Sequence, residues 1–356
     1  MSKRTLSTVC AVATTILFVA GLVLAFVFAW KTDLTAIIQC LVGFVLAFLL
    51  APVLHELGHI AIANAMQMRL VYAKFFCVKI IRENGKTKLR FASPFAADET
   101  QVVPKKGGNM QKRARRYTLG GLIVEGAFTL ALLVGAVTLT ATGKPSFLCW
   151  GMLPYAAYLF LLNALPLEYA NGKTDMLVYI GLKKGTPVEK TMVSAMEIQG
   201  ELFEGKSFAE IDEALYFDVP QLAEDEPLFA VTLDLRYRYY LDKGDINKAG
   251  DCLNRLVAAQ EYLPDAELQK LAAECVYTYS ILGDYENAEE SGKIAKPYLE
   301  GETATAKRVL LAFTAAFGDK DKAKVLWSQA QDALKREEIK GVEKFERTLL
   351  SRIVVA

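Results

Sequence analysis

The stretch LTAIIQCLVGFVLAFLLAPVLHELGHIAIANAM, residues 34–66, decides the fold. Its first 21 residues carry no charged side chain, and His55, Glu56 and His59 then follow within five positions. At 1.5 Å per residue, a helix of this length extends about 50 Å, which exceeds a hydrocarbon core of about 30 Å. The stretch therefore predicts a membrane-spanning helix whose end, with its ionisable residues, protrudes from the bilayer.

Three further apolar segments, residues 8–30, 117–141 and 146–167, raise the predicted number of spans to about four. For the first of them a cleaved signal peptide is the alternative, because Lys3 and Arg4 precede it. The run is longer than the apolar region of a signal peptide, and no clear small-residue cleavage site follows it. We therefore expect an integral membrane protein.

The distribution of charge along the chain predicts its orientation. The link between the second and third spans is rich in lysine and arginine, whereas the short links 31–33 and 142–145 carry one lysine each. By the positive-inside rule, the amino terminus, the long link and the carboxyl terminus are cytoplasmic. The basic residues of the long link include Lys74, Lys79, Arg82, Lys86, Lys88, Arg90, Lys105, Lys106, Lys112, Arg113, Arg115 and Arg116.

Overall charge and cysteine content exclude several classes of protein. The 41 lysines and arginines nearly balance the 40 aspartates and glutamates, so no global field favours nucleic acid as a partner. The six cysteines form no C-x-x-C pair, which argues against a disulfide framework and against a cysteine zinc site.

The long link also contains a strand pattern. Residues 70–81 and 86–91 are rich in β-forming residues and flank Glu83-Asn84-Gly85, whose Asn-Gly pair suits a tight turn. A β-hairpin over about residues 70–91, near the membrane surface, is predicted.

Residues 186–356 are polar and helical in their periodicity, so we divide the chain into a membrane domain, 1–185, and a soluble α-helical domain. Three Gly-Asp pairs, each followed by an alanine, repeat at intervals of 39 and 35 residues. This resembles a short tetratricopeptide-like array over about residues 228–335, although the tryptophan and proline of the full consensus are missing. The three groups are Gly244-Asp245 with Ala249, Gly283-Asp284 with Ala288, and Gly318-Asp319 with Ala323.

The fold class that these patterns predict is mainly α. We expect a polytopic membrane helix bundle with a small β-hairpin insertion, followed by a soluble all-α helical-repeat domain.

The candidate chemistry lies in His55-Glu56-Leu57-Gly58-His59, which is H-E-x-x-H on a predicted helix. Four residues make about one turn, so both imidazoles face the same way and can bind one Zn²⁺ beside the glutamate. These are the only two histidines in the chain, and buried structural histidines are the alternative interpretation. An ionisable group near hydrocarbon costs about 3 kcal/mol, so three such groups together indicate a function.

A catalytic zinc site uses three protein ligands and leaves one position open. Since no third histidine exists, the remaining ligand must be a carboxylate or a cysteine.

At this point the chain resembles the site-2 protease family of intramembrane zinc metalloproteases, over residues 34–182. That family carries H-E-x-x-H on one span and N-x-x-P-x-x-x-x-D-G, with an aspartate ligand, at the end of a later one. Asn163 and Pro166 match the opening of the second motif and are implied to support the active site, but Asn171-Gly172 stands where Asp-Gly is expected.

Family variants of the form N-G-x-[ST]-D resemble Asn171-Gly172-Lys173-Thr174-Asp175. The resemblance thus implies Asp175 as the third ligand, with Asn171 and Glu168 as the alternatives. Asp175 would also suit the first turn of a helix, where a negative charge is favourable.

A glycine-containing motif in the third span, beginning at Gly120-Gly121, adds to this resemblance. Small residues there allow close helix packing. At the position of Glu125 the family usually has asparagine. This acid could tune the zinc cavity, pair with a basic residue of the long link, or be a protonated acid hydrogen-bonded across helices.

The function that the resemblance implies is a zinc-dependent intramembrane endopeptidase. His55, His59 and Asp175 would hold Zn²⁺, and Glu56 would be the general base. Its substrates would be single-span membrane proteins or signal-peptide remnants, cut near the cytoplasmic face of a prokaryotic plasma membrane. The predicted hairpin lies where the family has one that helps to present substrate.

The soluble domain lies outside this resemblance. Helical-repeat arrays form protein-binding surfaces, so a cytoplasmic regulator or the cytoplasmic segment of a substrate is an expected partner, and a merely stabilising role is the alternative.

Two other functions compete with the protease. One is a non-enzymatic membrane-anchored helical-repeat scaffold with a metal site, which would not need Glu56. The other is a zinc transporter, although no repeat of spanning segments is evident in the sequence.

Overall fold

The computed structural model describes residues 3–83, 86–93, 99–169 and 172–353. The chain is mainly helical, with a small sheet and four helices long and apolar enough to cross a membrane. It divides into two compact units. The first comprises Met1–Val103 and Gln111–Glu189, and the second comprises Pro104–Met110 and Lys190–Ala356. Which ends of the helices face the cytoplasm stays a prediction.

The first unit contains the apolar helices. The second begins and ends close to the predicted bounds, and the first begins at Lys3, before the predicted residue 8. The predicted third segment, residues 117–141, falls on two helices. A short basic helix breaks at Leu119 before the apolar helix starts. The helices are α1 Lys3–Trp30, α2 Leu34–Ala65, α3 Met110–Thr118, α4 Gly120–Ala141, α5 Phe147–Ala164 and α6 Asp175–Lys184.

The predicted end of the fourth span at residue 167 is wrong, because α5 stops at Ala164. Pro166 restricts the residue before it to extended backbone, and Leu165 has φ −85° and ψ 139°. The chain therefore leaves the helix before Pro166 and becomes free to turn back.

Small residues allow α2 to pack closely against α5. A Cβ atom added at Gly43 would overlap the carbonyl oxygen of Leu148, and one added at Gly151 would overlap the carbonyl of Cys40. In lipid the hydrophobic effect does not drive helices together, so van der Waals contact at such close crossings stabilises their association instead.

The buried face of α2 runs without interruption into the candidate site. Ala47, Ala51, His55, His59 and Ala63 are all buried and follow one another at intervals of four residues. Residues four apart lie on one face of a helix, so the face that packs in the bundle also carries both imidazoles.

The small sheet has four strands in the order β3-β2-β1-β4, where the sequence predicted a single hairpin. The predicted strand 70–81 is in fact two antiparallel strands that turn at Phe76, which has a φ of 48°. The β2–β3 pairing brings Glu83 opposite Lys86, while the predicted turn residues Asn84 and Gly85 lie outside the described residues. The strands are β1 Met68–Phe75, β2 Val78–Glu83, β3 Lys86–Phe91 and β4 Glu99–Pro104. The last of them was not predicted.

The start of α3 is tied to the end of α2. The guanidinium group of Arg113 donates hydrogen bonds to the carbonyls of Met66 at 2.6 Å and Gln67 at 3.1 Å, just beyond the last turn of α2. A cation is favourable there because the carbonyls at a helix end carry partial negative charge. This contact brings α3 alongside the part of α2 that carries the imidazoles.

The second unit is built from helices and two one-turn 3-10 helices, Phe208–Glu210 and Gln260–Tyr262. Its helices are α7 Pro187–Glu204, which begins in the first unit and enters the second at Lys190, α8 Ala214–Phe217, α9 Pro227–Lys243, α10 Ile246–Ala258, α11 Asp265–Leu282, α12 Tyr285–Leu299, α13 Ala304–Ala316, α14 Lys320–Leu334 and α15 Lys340–Ser351.

Each repeated Gly-Asp pair stands between two helices of this unit. The glycines 244, 283 and 318 have φ of 82°, 78° and 80°, a conformation that side chains disfavour. The aspartate that follows each glycine caps the next helix by accepting a hydrogen bond from a backbone amide three residues on. The pairs therefore end one helix and start its partner. The specific assignment to tetratricopeptide repeats stays a prediction.

A buried ionic cluster joins four helices of the second unit. The guanidinium group of Arg308 is fully buried and donates to Glu274 at 2.8 Å and to Glu346 at 2.7 Å. The hydroxyl of Tyr237 donates to the same Glu274 carboxylate at 2.8 Å. Helices α9, α11, α13 and α15 thus share one cluster of charged hydrogen bonds.

Candidate metal centre

The two imidazoles of α2 meet on the buried face of that helix. The Nε2 atoms of His55 and His59 lie 3.2 Å apart, and both residues are buried. Their positions follow from the four-residue spacing on a regular helix. Both rings therefore present the same nitrogen to one point.

Asp175 completes the cluster. Its Oδ2 atom lies 3.1 Å from Nε2 of His55 and 3.0 Å from Nε2 of His59. The three ligand atoms lie within 4.8 Å of one another. Two imidazole nitrogens and a carboxylate oxygen are a donor set that suits Zn²⁺ and several other divalent metals. The group can therefore bind a metal ion, whose identity the donors alone do not decide.

The local backbone favours the charged form of Asp175. It is the first residue of α6, where the helix dipole stabilises an anion, and Thr174 caps that helix. Burial opposes ionisation, but hydrogen bonds from the two imidazoles outweigh it and lower the pKa of the carboxyl to about 2. The aspartate is thus ionised at neutral pH, which is the form that can bind a metal cation.

A short hairpin carries the chain from Pro166 to Asp175. Two-residue strands, β5 Glu168–Tyr169 and β6 Gly172–Lys173, pair antiparallel. Thr174 closes the hairpin, because its hydroxyl donates to the carbonyl of Leu165 at 2.7 Å and accepts from the amide of Leu167 at 3.1 Å. Thr174 therefore ties the start of α6 back to the chain that leaves α5.

Glu125 supports His55 from the opposite side. Its side chain is fully buried on α4, and its Oε2 atom lies 2.9 Å from Nδ1 of His55. For His59 the equivalent nitrogen lies 3.0 Å from the carbonyl oxygen of Tyr117. With each Nδ1 hydrogen-bonded in this way, each Nε2 remains as the metal-binding atom. The Glu125 carboxylate pairs with a histidine, and among the described residues it forms no ion pair with a basic residue of the long link.

Three glycines permit this arrangement. A Cβ atom at Gly121 would lie 2.6 Å from both Cε1 of His55 and Nε2 of His59. A Cβ atom at Gly120 would lie 2.6 Å from the carbonyl oxygen of Gly58, and one at Gly58 would overlap the backbone of Gly120. The crossing of α2 and α4 is therefore so close that any side chain would push Glu125 away from His55.

The other predicted residues have more varied positions. Glu56 is buried beside the cluster and interacts electrostatically with both histidines. Asn163, near the end of α5, is close enough to interact with Glu125, and Pro166 follows the end of that helix. Glu168 lies in β5 and is not part of the cluster found among the described residues. Asn171 lies outside the described residues.

Two contributors were not found by sequence reasoning. The carbonyl of Tyr117 has no signal in the side-chain pattern, since any residue offers it. The same tyrosine donates its hydroxyl to the carbonyl of Thr100 in β4 at 2.8 Å, which links the sheet to the centre. Thr174 did carry a signal, because a threonine before an acidic residue and an apolar run is typical of a helix start.

Comparison with known proteins adds no relative. The chain matches no family model, no curated protein and no solved structure.

Proposed function

We propose that this chain is a zinc-dependent intramembrane endopeptidase that cleaves single-span membrane proteins. One observation carries the proposal: His55, His59 and Asp175 converge beside the buried Glu56, on helices long enough to cross a membrane. A site that only stored a metal would need the three ligands and would not need a buried acid next to them.

The residues around the cluster have different roles in the proposed peptide hydrolysis. Glu56 accepts a proton from the attacking water and later donates it to the departing amine. Glu125 and the carbonyl of Tyr117 hold the two imidazoles in the orientation that leaves each Nε2 free. Zinc, when bound, lowers the pKa of its water and polarises the peptide carbonyl.

Substrate access follows from the physical state of a transmembrane segment. In an intact helix the backbone carbonyl and amide groups are occupied by internal hydrogen bonds. A substrate must therefore unwind locally before a peptide carbonyl can reach the site. The edge of the small sheet could then accept an extended segment as an added strand. Cleavage near the cytoplasmic face remains part of the proposal and depends on the predicted orientation.

The test is Glu56→Gln, expressed beside the parent protein and a control, Glu286→Gln, which removes an exposed acid of the second unit. We expect Glu56→Gln to keep one zinc per chain, measured by elemental mass spectrometry, and to lose cleavage. Proteomics of the purified complexes should show an uncut single-span protein on this variant alone.

Two outcomes would refute the proposal. One is full cleavage by Glu56→Gln, because the reaction would then proceed without the proposed general base. The other is an identical set of soluble partners on all three proteins with no uncut membrane protein, which would favour the non-enzymatic scaffold.

A further inference from the structure

A cavity of about 490 Å³ lies inside the second unit, between α9, α10 and α11. Its walls are largely apolar and include Val231, Leu253, Leu256, Leu263 and Leu271. This volume falls within the range of binding pockets and suits one or two aliphatic side chains. The metal centre involves none of these residues.

The deep end of the cavity has no charge left to neutralise. Glu274 reaches it but is held by Arg308 at 2.8 Å. Arg238 also lines the cavity and is paired with Asp234, again at 2.8 Å. An occupant therefore gains most at this end by offering apolar surface, since an unpaired charge there would be costly.

The mouth of the cavity is acidic. Glu224, Asp225 and Glu226 are consecutive and line it, and the first two are exposed. Within the part of the chain that the structure describes, no ion pair joins these three carboxylates to a cation. Glu267 also lines the cavity, but it is paired with Lys270 at 2.8 Å.

We propose that this cavity binds a peptide segment in which one or two aliphatic residues are flanked by lysine or arginine. The aliphatic side chains enter the cavity, and the flanking cations lie against residues 224–226. Charge complementarity selects this occupant, because an acidic peptide would be repelled at the mouth. The inference does not depend on the proposed protease activity.

The test uses the full chain in detergent and three fluorescein-labelled hexapeptides, KKLLKK, KKSSKK and EELLEE. Fluorescence anisotropy, corrected for protein-free micelles, reports binding. We expect KKLLKK to bind at least about tenfold more tightly than either other peptide, because only it combines both features.

Two matched triple variants locate the site. Glu224→Gln with Asp225→Asn and Glu226→Gln should weaken KKLLKK about tenfold at low salt, since three charges at the mouth are lost, two of them exposed. Glu286→Gln with Glu289→Gln and Glu290→Gln removes the same charge from positions of α12 that do not line the cavity, and should leave binding unchanged. A third variant, Val231→Asn, should weaken KKLLKK and leave its salt dependence unchanged.

Equal binding of KKLLKK and KKSSKK would overturn the proposal, because the acidic surface alone would then explain it. Equal weakening by the two triple variants would overturn it as well, since the effect would then come from overall charge.

Discussion

The two units of this chain bury opposite kinds of side chain. In the first, large apolar residues such as Leu17 and Leu24 face outward, and the buried positions of α2 are mostly alanine, glycine and cysteine. In the second, Leu233, Tyr237 and Phe345 are buried. Lipid solvates leucine well, so helices in the first unit gain from close approach, whereas water drives large side chains inward in the second.

Buried charge follows the same contrast. The first unit collects His55, Glu56, His59 and Glu125 around one point, with Asp175 beside them. The second unit neutralises buried charge in an internal cluster, in which the guanidinium group of Arg308 forms ion pairs with two carboxylates. In the second unit the buried Arg308 is thus held by two carboxylates, although its Nη1 atom has no hydrogen-bond partner among the described residues. In the first unit, by contrast, His55, His59 and Asp175 can all bind one metal cation.

The largest expected effect is in the second unit. Arg308→Met should destabilise it by about 3–5 kcal/mol, because two buried carboxylates lose their cation. Hydrogen exchange of α11, α13 and α15 in the full chain would measure this. Adding Glu274→Leu and Glu346→Leu should restore most of the stability, since an apolar triad leaves no unpaired charge. Unchanged hydrogen exchange in Arg308→Met would show that the ion pairs of this cluster do not stabilise the second unit.

Next is the close packing of the first unit. Gly121→Ala and Gly43→Ala should each cost about 1–3 kcal/mol, because both introduce a methyl group where none fits. Thermal denaturation in detergent would measure the loss. Only Gly121→Ala should also reduce zinc content, since its methyl group would meet both imidazoles. An equal zinc content in the two variants would contradict the proposed geometry.

A smaller effect is expected from the support of His55. Glu125→Gln should weaken zinc binding about 10–100-fold, which is the usual effect of removing a partner of a metal ligand. Competition with a chromophoric chelator would measure the affinity. The control is Glu189→Gln, which removes another buried acid of the first unit, one that is paired with Lys173. If both variants bound zinc equally, Glu125 would have no role in orienting His55.

The smallest effect concerns a feature that both units share, the capped helix start. Asp284→Ala should destabilise the second unit by about 1 kcal/mol, because the amide of Asn287 loses its acceptor. Chemical denaturation would measure the change. Asp284→Asn should be close to neutral, since asparagine caps as well as aspartate does. A loss as large as that of alanine in the asparagine variant would assign the effect to charge and not to capping.

Much of this architecture could be predicted because the signals were local. Uncharged runs of about 20 residues indicated the apolar helices, and the spacing of His55 and His59 placed both on one face. The Gly-Asp pairs marked helix boundaries because both residues act within a few positions. The sheet was less predictable. The turn at Phe76 has no glycine or asparagine at its positive φ, and β4 is short and far from its partner in the chain.

The candidate site was predictable only in part for the same reason. Asp175 was named from a motif that this chain does not match strictly, and the pairing of β5 with β6 just before it was not foreseen. The role of Glu125 remained open among three alternatives, because nothing near it in sequence says what it faces.

By itself, the sequence determined the apolar helices, the shared face of the two imidazoles and the helix caps, since each depends on residues within about one or two turns. Only the tertiary structure decided that Asp175 meets His59 across 116 residues and that Glu125 meets His55 across 70. Those contacts depend on how closely α2 and α4 cross at their glycines and on where the chain turns after Pro166. Such packing is a property of the assembled bundle, and no single segment encodes it.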